Sequence, residues 1–397
     1  MNKVKRFLKV ARNVSNNPLI YETKEYLELF ERFSQTLFNT KIIEIYSSNV
    51  FPETLKFKDG SKVLVWDSTY WYIFNNIIAL YFFAINAKDE QHCEGIKQRL
   101  EAEIYYFLAL KMEFNTPLST EITRSYYETI KENFNMEITP EELDFYNKSI
   151  KEITLIAKVF CLFHELNHMD QIEESTVFDK KVSALISMLR DTYNILREDT
   201  FLVDNIRNYY SPKTVKKAIK NMIDRQNPEL EIELTCDLAA INDTVDFFER
   251  IWENMSKEKI FSKVNEVVLV VNSINMTLTQ TYSYWKTCYE YYSHRIDRET
   301  FVAEIDKMND DAMLRFILSD IVKVIQANDV YDEKIEEILN TDYYGLRYQT
   351  ENSFIEDTMK YINNEEFFGQ VYANSCNYKE VEESKLECLK NTILKWQ

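Results

Sequence analysis

Two of the chain's four histidines stand four residues apart, in His164-Glu165-Leu166-Asn167-His168. On a helix that spacing brings both imidazoles to one face, close enough to hold a single metal ion. Glu165, next to the first histidine, would then reach a water on that ion and act as general base. A catalytic ion of this kind needs a third protein ligand and keeps a fourth position for water. Glu233 is the candidate, sixty-five residues after His168, in Glu233-Leu234-Thr235-Cys236-Asp237. Asp237 shares its helical face and can accept a hydrogen bond from the free N–H of a ligand histidine, fixing the tautomer. Glu and Asp four apart are ordinary on a solvated helix. Here Leu234, Cys236, Leu238, Ala239, Ala240 and Ile241 make the segment apolar, so its carboxylates need partners.

A third group follows in Tyr291-Tyr292-Ser293-His294-Arg295-Ile296-Asp297-Arg298, which sets His294 and Arg298 four apart near the start of a further helical run. Such groups can stabilise an oxyanion or anchor a substrate backbone. The plainer expectation is a surface histidine beside an ion pair of Asp297 with Arg295 or Arg298. Weaker signals include a basic stripe of Lys213, Lys216, Lys217 and Lys220, expected as a solvated face that could guide an acidic substrate. An aromatic cluster from Tyr282 to Tyr292 is expected to pack a core, with a cleft lining as the alternative.

Taken together, HExxH, then ExxCDxxA, then Ser-His with an arginine four residues on resembles the gluzincin metallopeptidases, in particular soluble bacterial phage-exclusion peptidases of the Lit type. The resemblance covers residues of about 150–300. It implies zinc held by His164, His168 and Glu233, Glu165 as general base, Asp237 behind the ligands, and His294 and Arg298 near the transition state. The implied activity is hydrolysis of a peptide bond in an intracellular protein, in phage defence or as a toxin-like effector. The other class to weigh is a non-catalytic binding or scaffold protein with a structural or vestigial metal site. Glu165 argues against it, because a structural site has no use for a carboxylate beside its first ligand.

The elements that must position these residues are helices. Thr139-Pro140-Glu141-Glu142 reads as an N-cap, a proline at the first helical position and a glutamate three residues after the cap, and the pattern runs on to about Ser175. Ser211-Pro212 and Asn227-Pro228 open two further helices, the second carrying Glu233. The one β signal is Leu55 to Asp67, where Asp59-Gly60 between two alternating runs predicts a hairpin with a two-residue turn. Tyr70 to Ala87 is the most membrane-like stretch, but Asn75 and Asn76 and its many tyrosines suit a buried core helix better than a bilayer span.

Composition points the same way. Four glycines and six prolines are few for 397 residues, where typical usage would give roughly 28 and 20. That shortage disfavours nucleotide-binding α/β folds, with their glycine phosphate turns, and turn-rich β-sandwiches and barrels. Gly60, Gly95, Gly345 and Gly369 all lie outside the candidate site, so its chemistry must come from side chains. A net charge of −18 argues against nucleic-acid and anionic-membrane partners and leaves a protein or peptide substrate. Six scattered cysteines without a CxxC pair suggest free thiols. Residues 1–19 are basic without the apolar run of a secretory signal, so a cytoplasmic protein is expected. The expected fold is mainly α: a helical zincin-like body with a small β element near 55–67. It is read as one body over 1–397, with the metallopeptidase core at 140–300, an N-terminal helical region with the hairpin at 1–139 and a C-terminal helical region at 301–397. Oligomeric state has no signature in the sequence.

Overall fold

The computed structural model describes residues 40–45, 53–56, 60–85, 90–112, 115–132, 150–172, 176–195, 212–224, 228–308 and 362–377. Among the described residues the fold is mainly α, with one small sheet. Strands β2 (Glu53–Lys56) and β3 (Lys62–Asp67) pair antiparallel, so the expected hairpin is present. Its connection is not the expected two-residue turn. Lys56 faces Lys62, and an odd number of residues must therefore separate the paired positions. Residues 57–61 make the connection, with Gly60 at φ 80, where a Cβ would be strained. A further strand, β1 (Thr40–Ile45), pairs parallel with β3 and gives the order β1-β3-β2. As the central strand, β3 buries Val63, Leu64, Val65 and Trp66 in succession, the mark of a strand covered on both faces.

β3 runs directly into α1 (Ser68–Ile85). Asp67 caps that helix, its Oδ1 accepting from the backbone N–H groups of Thr69 at 2.9 Å and Tyr70 at 3.4 Å. Along α1, Tyr70, Ile73, Phe74, Ile77, Ile78 and Tyr81 are buried at helical spacing. Asn76, in the middle of this apolar run, donates to Glu103 Oε1 at 3.2 Å on α2 (Glu90–Lys111). Burial there raises the Glu103 carboxyl to about 7, with Asn76 and Arg99 opposing the rise. Among the described residues, no helix is long and apolar enough to cross a membrane.

After α3 (Thr116–Glu132) come α4 (Lys151–Ile172), α5 (Thr176–Ile195), α6 (Pro212–Ile223), α7 (Pro228–Ile251) and α8 (Lys257–Tyr292). Both α6 and α7 begin at their prolines, where a missing N–H costs nothing. The helix start at Thr139-Pro140 lies outside the described residues. One continuous hydrophobic cluster extends from Ile42 to Val371. Within it Phe163 of α4 meets Phe247 of α7 edge-on, ring centres 6.1 Å apart. Burying a ring of this size stabilises by about 1.5–3 kcal/mol, so these contacts fix the α4–α7 pairing on which the site depends. Lys158 of α4 is buried over the rings of Trp66 and Trp71, at 5.8 and 5.7 Å, which joins the helix to the sheet and α1.

The aromatic cluster of α8 packs a core, as expected. Trp285 lies 5.1 Å from Phe368 and Tyr292 lies 5.6 Å from Tyr372, both partners on the helical segment 365–377. A Cβ at Gly369 would come within 2.7 Å of the Tyr292 hydroxyl, so the ring would have to shift to admit it. In the basic stripe, Lys217 and Lys220 are exposed, in keeping with a solvated face.

Candidate metal centre

α4 brings His164 and His168 to one face, one turn apart, and α7 brings Glu233 opposite them. The two Nε2 atoms are 3.1 Å apart. Glu233 straddles the pair, with Oε2 3.5 Å from Nε2 of His164 and Oε1 3.5 Å from Nε2 of His168. Their side chains are 12, 17 and 33% exposed, so they are shielded but reachable. Three ligand atoms converging in this way form a group that could hold a metal ion.

Both imidazoles turn their other nitrogen toward α7. Asp237 Oδ1 lies 2.8 Å from Nδ1 of His164, and Asp237 is almost fully buried. The Cys236 sulfur lies 3.6 Å from Nδ1 of His168. The rear contact of each ring thus comes from a different residue, where the sequence had suggested only Asp237. Burial by itself would lower the basicity of His164, but the carboxylates of Asp237 and Glu233 outweigh it and push the imidazole up to about 10. The pocket therefore draws positive charge, a proton or a metal ion. Burial, reinforced by the nearby carboxylates, pushes the Cys161 and Cys236 thiols up, and both stay protonated at neutral pH.

Asn167, between the two histidines, is wholly buried. Its Nδ2 donates to Phe163 O at 2.8 Å and to Asp243 Oδ2 at 3.0 Å, and its Oδ1 accepts from Lys181 Nζ at 2.6 Å. One amide therefore ties α4 to both α5 and α7, beside the ligands.

A cavity of about 160 Å³ opens onto the group, lined by His164, Glu165, Glu233 and Asp237 of α4 and α7. Tyr70 of α1 and Asn272, Asn275 and Thr279 of α8 line the same cavity. Those four, together with Cys161 and Asn167, are positions that sequence reasoning did not assign to the site. Asn272, Asn275 and Thr279 did leave a signal: a polar stripe at i, i+3 and i+7 on a helix otherwise burying Val267, Val268, Val271, Ile274 and Leu278. Tyr70 left none, since its run reads as core.

His294 and Arg298 are not brought to this cavity. His294 follows the end of α8, exposed, with φ 58. Its N–H donates to Tyr291 O at 2.9 Å, and the Arg295 N–H donates to Glu290 O at 2.8 Å. These two bonds are the Schellman pattern, in which the left-handed position is usually glycine. In a chain nearly without glycine, histidine takes it, as a residue enriched among non-glycines there. Arg298 pairs at 2.6 Å with Glu365 and lies over the Tyr291 and Phe301 rings. Tyr292 lies thirteen residues on from Thr279 along α8, roughly 20 Å at the helical rise. The expectation of a transition-state role for the pair thus gives way to a helix cap and a surface ion pair whose acid partner is Glu365, not Asp297.

Compared with protein-family models, with curated proteins and with solved structures, the chain matches none.

Proposed function

We propose that the chain is a zinc-dependent endopeptidase acting on a protein or peptide. The observation that carries this reading is the shared cavity: Glu165 lines it together with the ligand candidates His164 and Glu233. A structural zinc site is closed by four protein ligands, whereas a catalytic one has three and an open side. Two imidazoles and one carboxylate are a donor set that suits zinc. Their separations of 3.1 and 3.5 Å bracket the roughly 3.3–3.4 Å between ligands at a tetrahedral ion with bonds of 2.0–2.1 Å.

When bound, zinc would lower the pKa of a water and polarise the scissile carbonyl. Glu165 takes the proton of the attacking water and returns it to the leaving amine. Asp237 holds the His164 ring against α7 with its Nε2 forward. The buried Asn167 amide keeps the spacing of α4 and α7, and with it the distance between Glu165 and the ligands.

The Glu165→Gln protein tests the reading. It is expected to fold and to carry about one zinc per chain, like the wild type, while losing peptide hydrolysis by about 10³-fold or more. Mapping new protein N-termini in cells expressing each form would detect the activity and name its substrate. A folded, zinc-free wild type, or a Glu165→Gln protein with undiminished cleavage, would sink it. The phage-defence setting rests on the resemblance alone and is tested by the identity of the cleaved protein.

A further inference from the structure

The residues that α8 contributes to the cavity, Asn272, Asn275 and Thr279, are all polar, although they interrupt a stretch burying Val267, Val268, Val271, Ile274 and Leu278. Tyr70 supplies one clue to their purpose. The Asp67 cap places Tyr70 in the first turn of α1, and its hydroxyl donates to Oδ1 of Asn275. That bond occupies the amide oxygen. Among the described residues the Asn275 amide nitrogen makes no hydrogen bond, so the group has two N–H donors to offer. The complement of a donor is a carbonyl or carboxylate oxygen.

Charge decides between them. Glu165, Glu233 and Asp237 border the same cavity, and even a divalent ion would leave them in excess, so a second carboxylate is disfavoured. A lysine or arginine side chain is attracted by charge but has no acceptor for Asn275. A neutral group with both an acceptor and donors fits best, since Thr279 carries a hydroxyl oxygen that can receive one of its N–H groups. Size agrees: a space of about 160 Å³ is close to the roughly 150 Å³ that accommodates a benzene molecule, enough for one side chain.

We propose that Tyr70, Asn272, Asn275 and Thr279 form a specificity wall that selects a carboxamide side chain, Asn or Gln, beside the bond to be cut. This rests on the peptidase reading. An apolar residue there would leave the Asn275 amide N–H groups without a protein partner, the circumstance in which binding sites discriminate most strongly.

The test uses the full chain loaded with zinc, in its inert Glu165→Gln form, to capture peptides from a randomised library. Captured peptides are expected to be enriched in Gln and Asn by about tenfold over Met, Leu, Glu and Lys at one position. Adding Asn275→Leu should reduce that enrichment to within about twofold. Asn275→Asp preserves size and the Tyr70 bond but replaces the donors by an acceptor, so the carboxamide preference should pass to Lys. Enrichment of apolar or acidic residues overturns the proposal, as does an amide preference unchanged in a folded, zinc-loaded Asn275 variant. A wild-type chain that carries zinc and cuts peptides without amide preference overturns this inference alone. A zinc-free chain overturns the peptidase reading and this one with it.

Discussion

The HExxH face of α4 and the corner after α8 look alike in sequence, since each places polar residues four apart near a histidine. In the fold they differ in what they meet. His164 and His168 face α7 across a gap bridged by Glu233, with Asp237 and Cys236 behind the rings. His294 and Arg298 face solvent, one serving backbone geometry and the other an exposed carboxylate. Spacing selects a face; the neighbouring element determines whether that face becomes a site. Burial strengthens electrostatic interaction at the first and leaves the second screened.

The comparison is sharpest at a ligand. His168→Ala should abolish stoichiometric zinc, read as metal content after gel filtration, while the circular dichroism of a mainly helical chain persists. Asp237→Asn should retain zinc but weaken its affinity by about 10–100-fold, measured by chelator competition, because the contact behind His164 is lost. At the other corner, Arg298→Ala should leave zinc affinity unchanged and shift the melting temperature by only about 2–4 °C, since it removes one exposed ion pair and two cation–ring contacts. A loss of zinc in Arg298→Ala would break the comparison. His294→Gly should have the smallest effect: unchanged zinc and a melting temperature equal to or slightly above wild type, as glycine takes φ 58 without a Cβ. A fall of several degrees would show that the imidazole does more than cap the helix.

Much of the site was legible because it is local. His164, Glu165 and His168 lie within five residues, and helical periodicity alone puts the two imidazoles together. Glu233 and Asp237 were legible as carboxylates on an apolar helix, where an unpartnered charge is costly. Glycine scarcity and the prolines at 212 and 228 marked the helical fold and two of its helix starts, because those residues act through local backbone geometry. The hairpin was legible too, but its loop length was not, since strand register is set by packing against the rest of the sheet.

What the tertiary structure decided is which distant residues share a cavity. Tyr70 lies 205 residues from Asn275, to which it donates a hydrogen bond, and no periodicity encodes that meeting. Asn167 and Asp243 are 76 apart, and Cys236 stands 68 from the ring it backs. Such contacts depend on how helices cross, and crossing depends on the summed fit of many core side chains rather than on any one motif. The same physics set His294 aside: its spacing permitted a catalytic role, but the length of α8 carried it away from the cavity.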